Sequence, residues 1–169
     1  RMTHCFSRRS FLKGSAAAAA VLSSPLLPAD AASSETENGL LSPVSALCQT
    51  QYGPVRGREG ENGQLCWYGI PYGAAPTGES RWTAPQEPAC WLTVRDCTSP
   101  APAAYQYTTF PLGTEDCLTL DVYSSSDAKK RPVLVYLHGS AATGSSLELP
   151  GCELVRDAGC VFVALNYRL

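Results

Sequence analysis

Residues 133–165 read VLVYLHGSAATGSSLELPGCELVRDAGCVFVAL, and this stretch decides the fold. Val133 to Leu137 and Val161 to Leu165 are short runs, apolar on both faces, which is the pattern of strands inside a sheet covered by helices. Between them lie a loop of small residues and a short helical candidate from Cys152 to Asp157, ended by Gly159. Strand, helix, strand in that order is a βαβ unit with a right-handed crossover, so the fold class is α/β.

Upstream, Leu118, Leu120 and Val122 alternate with Thr119, Asp121 and Tyr123, the period of a half-buried strand, followed by a turn from Ser124 to Lys130. Leu47 to Gln51 and Val55 to Gly57 flank the turn Tyr52-Gly53-Pro54 and suggest a hairpin. A second turn, Glu59 to Gly63, precedes a strand from Leu65 to Ile70. The proline-rich stretch from Pro71 to Pro111 has no sustained period, so the aromatics Tyr72, Trp82, Trp91 and Tyr105 are expected to hold it.

The chain has 169 residues, 44% of them hydrophobic and 17% charged, which excludes intrinsic disorder. Four of the 13 basic residues, Arg1, Arg8, Arg9 and Lys13, precede the alanine run at Ala16 to Ala20. After residue 31 the chain carries 9 basic and 14 acidic residues. An acidic remainder offers nothing to phosphate backbones, so nucleic acid is not an expected partner. Gly139 to Ser146 has the spacing of a phosphate-binding loop, but Ser145 stands where that chemistry needs a lysine. No cofactor is expected.

Ser7-Arg8-Arg9-Ser10-Phe11-Leu12-Lys13 before an alanine-rich run resembles a bacterial twin-arginine export signal. Ala29-Asp30-Ala31 supplies a small-x-small peptidase site, with cleavage expected after Ala31. Residues 1–31 are thus read as signal peptide, 32–44 as polar linker and 45–169 as the folded domain. The partner this implies is the twin-arginine export machinery, and the destination is outside the cytoplasm. The apolar run from Ala16 to Leu22 is far short of the ~20 residues that cross a bilayer, so no membrane span is expected.

Beyond the leader stand Cys48, Cys66, Cys90, Cys97, Cys117, Cys152 and Cys160. They contain no C-x-x-C and only His138 remains as a nitrogen partner, so no metal site is expected. A disulfide or two suits an exported chain, with the pairing left open.

Four segments in order resemble the carboxylesterase type B family of α/β-hydrolases, the lineage of bacterial para-nitrobenzyl esterases and cholinesterases. They are Tyr52 to Gly57; Gly69-Ile70-Pro71-Tyr72-Gly73 with Gly78, Arg81, Trp82 and Pro85; Thr114 to Tyr123; and Val133 to Gly139 with Asn166 to Leu169. The resemblance implies a structural ion pair between Arg81 and Glu115 and a structural role for His138. It also implies a disulfide at Cys117, whose usual partner position holds Tyr105, leaving Cys97 or Cys90 as substitutes.

In the family, the loop after His138 forms an oxyanion hole, placing Gly139, Ser140 and Ala141 as candidates and the amides of Ser140 and Ala141 as donors. Serine and alanine stand here where the family has glycines, and a φ above zero at Ser140 would be strained. The family's G-x-S-x-G nucleophile elbow does not occur; Gly144-Ser145-Ser146-Leu147-Glu148 lacks its last glycine. The expectation is therefore the N-terminal portion of an exported serine carboxylesterase, incomplete and inactive alone. Its nucleophile, acid and base would lie beyond Leu169, and its substrate would be a small-molecule ester. The alternative is a non-catalytic cholinesterase-like binding or adhesion protein of the same fold.

Overall fold

The computed structural model describes residues 46–60, 63–127, 130–140 and 142–169. The leader with Arg8 and Arg9, the cleavage point after Ala31, the 32–44 linker and Ala141 lie outside the described residues. Leu47–Gln49 (β1) and Pro54–Arg56 (β2) form the expected antiparallel hairpin. Its turn is held by Thr50, whose Oγ1 accepts from the amide of Tyr52 and donates to the Gly53 carbonyl. Arg58–Glu59 (β3) and Gln64–Pro71 (β4) follow, then Arg95–Asp96 (β5), which joins β2 in parallel to complete a three-stranded sheet. Gln106–Tyr107 (β6) and Pro111–Leu112 (β7) make a small separate hairpin.

The remaining elements are Thr119–Ser125 (β8), Val133–Leu137 (β9), the helix Gly151–Ala158 (α1) and Val161–Leu165 (β10). The main sheet has the order β3-β4-β8-β10-β9, with β9 and β10 parallel and every other pair antiparallel. β4 breaks register against β8 between Trp67 and Ile70, where Gly69 takes a φ of 65°. Helix α1 begins after Pro150 and stops at Gly159, whose left-handed φ of 60° lets its amide reach the Val155 carbonyl. The helix lies on one face of the sheet over a core of Cys66, Tyr68, Tyr123, Val155, Cys160, Phe162 and Ala164. The Tyr68 and Tyr123 rings meet edge to face within it, 5.6 Å between centroids.

Three expectations need correction. In β8 the alternation has the opposite phase: Thr119, Asp121 and Tyr123 are buried, while Leu120 and Val122 are half-exposed. The polar pair is buried because its groups are bonded, Asp121 to Ser146 and to the Gly69 amide, and Thr119 to Asn166. Strand β9 lies at the edge of the described sheet, with Val133, Val135 and Leu137 more than half exposed at 61%, 55% and 64%. Among the aromatics of the irregular stretch, Trp91 donates to the Pro54 carbonyl and Tyr72 to the Asn166 carbonyl, but Trp82 is 84% and Tyr105 48% exposed and neither holds a core.

The Cys117 pairing is also corrected. Cys97 and Cys117 are both free thiols, and Cys90, which is disulfide-bonded, is not joined to Cys117. Cys97 is tied to the small sheet by its amide, which donates to the Arg56 carbonyl, whereas Cys117 packs with Ala104 and Leu118 in a separate cluster.

Candidate active site

The chain leaves β9 at Leu137 and turns at once into the loop that carries His138, Gly139 and Ser140. Strand ends of this kind are where open α/β sheets place ligands. His138 is buried, its ring stacked on Tyr167 with centroids 4.2 Å apart and planes 11° from parallel. The Tyr167 hydroxyl donates to the His138 carbonyl and fixes the backbone where the loop begins. His138 Nδ1 lies 3.2 Å from the Gly139 carbonyl, which only accepts, so Nδ1 is the donor in that contact. Nε2 is buried with no hydrogen-bond partner among the described residues. Among the described residues neither ring nitrogen is hydrogen-bonded to a hydroxyl or thiol.

Gly139 and Ser140 are exposed, and a Cβ built at Gly139 would meet nothing within 4 Å. Their amides have no acceptor among the described residues. Ser140 has a φ of 68°, the one left-handed conformation at a non-glycine among the described residues. That conformation costs an L-residue about 1–2 kcal/mol. The Ser140 hydroxyl offsets part of this by accepting from the amides of Ala142 and Thr143 at 3.3 and 3.4 Å. Free amides at such a turn bind an anionic oxygen, and in acyl transfer one donor stabilises the transition state by ~2.7–4 kcal/mol.

The far side of the loop is clamped by groups whose roles the sequence did not reveal. Gln106 brackets the Gly144 peptide from both sides, and its amide nitrogen also donates to the Ala104 carbonyl at 3.1 Å. Beneath lies a buried network. Ser146 Oγ donates to Asp121 Oδ2 at 2.7 Å, and the Ser146 amide donates to Asn166 Oδ1 at 2.8 Å. The Asn166 side-chain amide returns a bond to Ser146 Oγ at 3.1 Å, and the Gly69 amide donates to Asp121 Oδ1 at 2.8 Å. Burial raises the Asp121 carboxyl above its ordinary range, against the opposing pull of the bonds from Ser146 and Gly69. Asp121 and Asn166 both lie in quoted motif segments, where their types are visible but not their mutual contact through Ser146.

Arg81 and Glu115 meet at 2.8 Å, with side chains 48% and 35% exposed. The Arg81 guanidinium also sits over the Trp82 ring, and Arg168 donates to the carbonyls of Arg81 and Thr83. This cluster ties the irregular stretch to the chain after β10.

The chain matches the carboxylesterase family over residues 44–169 and the twin-arginine translocation pathway signal over residues 5–24. It belongs to the carboxylesterase family, as a type B member with the α/β-hydrolase fold, and it carries a signal for export. It is similar to the para-nitrobenzyl esterase of Bacillus subtilis (strain 168), 39% identical over 135 residues that cover 73% of this chain and 27% of that protein. Phenmedipham hydrolase of Pseudarthrobacter oxydans is 36% identical over 124 residues, covering 64% of this chain and 25% of its own. The solved carboxylesterase EST55 of Geobacillus stearothermophilus superposes with a TM-score of 0.67 at 38% identity, over 73% of this chain and 26% of that one. The chain thus spans about a quarter of the length of the relatives it matches. Among the described residues no helix is long and apolar enough to cross a membrane.

Proposed function

We propose that residues 45–169 form the oxyanion corner of an exported carboxylic ester hydrolase, with the amides of Ser140 and Ala141 as donors. The nucleophilic serine, acid and base are supplied by sequence beyond Leu169, and the described residues alone do not turn over ester. The observation that carries this reading is the exposed, unpartnered amide of Ser140, next to the open Gly139, on a loop clamped by Gln106 and Tyr167. Two further features support it: the chain covers only 27% of a para-nitrobenzyl esterase, and the apolar faces of β9 stand open. The reaction is acylation of a serine by a carboxylic ester with release of alcohol, then hydrolysis to the acid.

The test is hydrolysis of short-chain p-nitrophenyl esters by the full-length gene product, with and without a serine-directed phosphonate. Turnover abolished by the phosphonate, with none from residues 32–169 alone, is the expected result. Turnover by residues 32–169 alone overturns the assignment of the nucleophile. A second reading, a non-catalytic binding or adhesion protein of the same fold, is favoured by one observation: Ser140 places a side chain at a left-handed position of the loop. A well-folded full-length product without phosphonate-sensitive hydrolysis would select it.

A further inference from the structure

Cys66 and Cys152 are 86 positions apart in the chain, yet their sulfurs lie 3.3 Å from one another. Cys66 sits fully buried in the middle of β4, and Cys152 is half-buried in the first turn of α1. A disulfide needs an S–S distance near 2.04 Å, so closure asks for about 1.3 Å of approach between two side chains already in contact. We propose that Cys66 and Cys152 are a modification site, oxidised in the exported protein to a disulfide that ties α1 to β4.

The surroundings are shaped to the pair. The chain between β3 and β4 passes over both sulfurs at Gly60, where an added Cβ would stand 2.7 Å from Cys66 Sγ and 2.9 Å from Cys152 Sγ. A hydrogen atom is all that fits there. Cys152 borders an open cleft of about 360 Å³, lined also by Arg58, Tyr68 and Glu153, through which a small oxidant reaches its sulfur. The charge of Arg58, which donates to the Tyr68 hydroxyl at 3.4 Å, draws the Cys66 thiol towards its ionised form. Burial nevertheless pushes the Cys66 thiol up to about 12. Cys152 lines the cleft and Cys66 does not, so Cys152 meets the oxidant first.

The oxidant is an external disulfide, R–S–S–R, as found outside the reducing cytoplasm. The Cys152 thiol gives up its proton, and its thiolate attacks one sulfur of R–S–S–R; the S–S bond breaks and RS⁻ leaves, taking up a proton. Cys66 then ionises and attacks Cys152 Sγ of the mixed disulfide, expelling the second RS⁻, which is protonated in turn. Two electrons pass to the oxidant, two RSH are formed, and the protein loses two hydrogens. Other partners are less well placed. Cys160 shares this core, but its Sγ lies against the Leu154 carbonyl at 4.0 Å, and Cys97 and Cys117 sit outside it. Among the described residues no group of three or more His, Cys, Asp or Glu side chains is placed to hold a metal, so the two thiols are not part of a larger ligand set.

The inference depends on export and not on ester hydrolysis, so either can fail without the other. The test uses the full-length gene product, expressed with its leader and purified from the exported fraction without reductant. It is unfolded in N-ethylmaleimide and digested with trypsin. Cys66 is the only cysteine of residues 59–81 and Cys152 the only one of residues 131–156, a peptide kept whole because Pro132 follows Arg131. The expected result is that these two peptides are recovered joined, two hydrogens lighter than their sum, and separate on reduction. Recovery of both carrying maleimide without prior reduction overturns the proposal, as does linkage of either to a peptide containing Cys90, Cys97, Cys117 or Cys160. The reading is made on the wild-type protein, so no variant has to fold.

Discussion

Gln106 Oε1 accepts from the Gly144 amide at 2.9 Å while Gln106 Nε2 donates to the Gly144 carbonyl at 2.9 Å, so a single side chain satisfies both polar groups of one loop residue. Gln106 is buried, and water is therefore poorly placed to replace it. Gln106→Leu is expected to lower stability by about 2 kcal/mol, because two backbone groups lose their partner. It should also speed hydrogen exchange at the Gly144 amide, and unchanged exchange there would show that the loop is held by other means.

Two described positions of the loop have positive φ and answer differently to substitution. At Ser140, replacement by glycine removes the left-handed cost and loses two long hydrogen bonds. S140G is expected to gain up to about 1 kcal/mol, while S140A, which keeps the cost and loses the bonds, drops by about 1 kcal/mol. Gly144 has a φ of 137°, and a Cβ there would stand 2.3 Å from His138 Nδ1 and 2.7 Å from Glu148 Oε1. Gly144→Ala should cost about 2 kcal/mol or more, through overpacking and strain together. Urea unfolding of the three variants ranks them, and a neutral G144A would contradict the described packing.

Asp121 makes stability depend on pH with a definite sign. Its unfolded-state value is near 3.8, and burial raises the folded-state value above that. Between the two, the folded protein binds more protons than the unfolded one. Stability therefore falls as pH rises through this window and levels off above the folded-state value. Asp121→Asn keeps an acceptor for the Gly69 amide and removes the titration. The variant's unfolding midpoint should be flatter than wild type across the acidic window; a parallel profile would place the pH dependence elsewhere.

Strand β9 should make the isolated chain self-associate. Val133, Leu134, Val135 and Leu137 are all exposed, on a strand with an unpaired edge among the described residues. Val135→Lys is expected to shift the sedimentation profile of residues 32–169 towards monomer, with stability changed by less than about 0.5 kcal/mol. An unchanged association state would mean that another surface drives it.

The parts of the fold legible in the sequence are those set by local pattern. The apolar runs of β9 and β10 with a short glycine-ended helix between them specify the βαβ unit, and the turn at Tyr52-Gly53-Pro54 specifies the first hairpin. Two-sided apolarity records what a strand can tolerate and not what covers it here, so the exposure of β9 could not be read from it. In β8 the period was visible but its phase was not. The residues that go inside include Asp121, whose burial is offset by Ser146 and Gly69, 25 and 52 positions away. For the same reason Gln106 was invisible: its partner is 38 positions on, and it lies in a stretch without periodicity. The Cys66–Cys152 contact joins a strand to a helix whose packing had first to be known.

The order of the central strands bears on how the chain assembles as it is made. Synthesis delivers β8, then β9, then β10, but in the sheet β10 lies between the other two. While the ribosome is still making residues 138–160, β9 has no neighbour to zip against, and the turn carrying Gly139 and Ser140 has nothing to stand on. Seating must wait until Leu165 has emerged, so the loop of Gly139 and Ser140 is among the last parts of this segment to take shape.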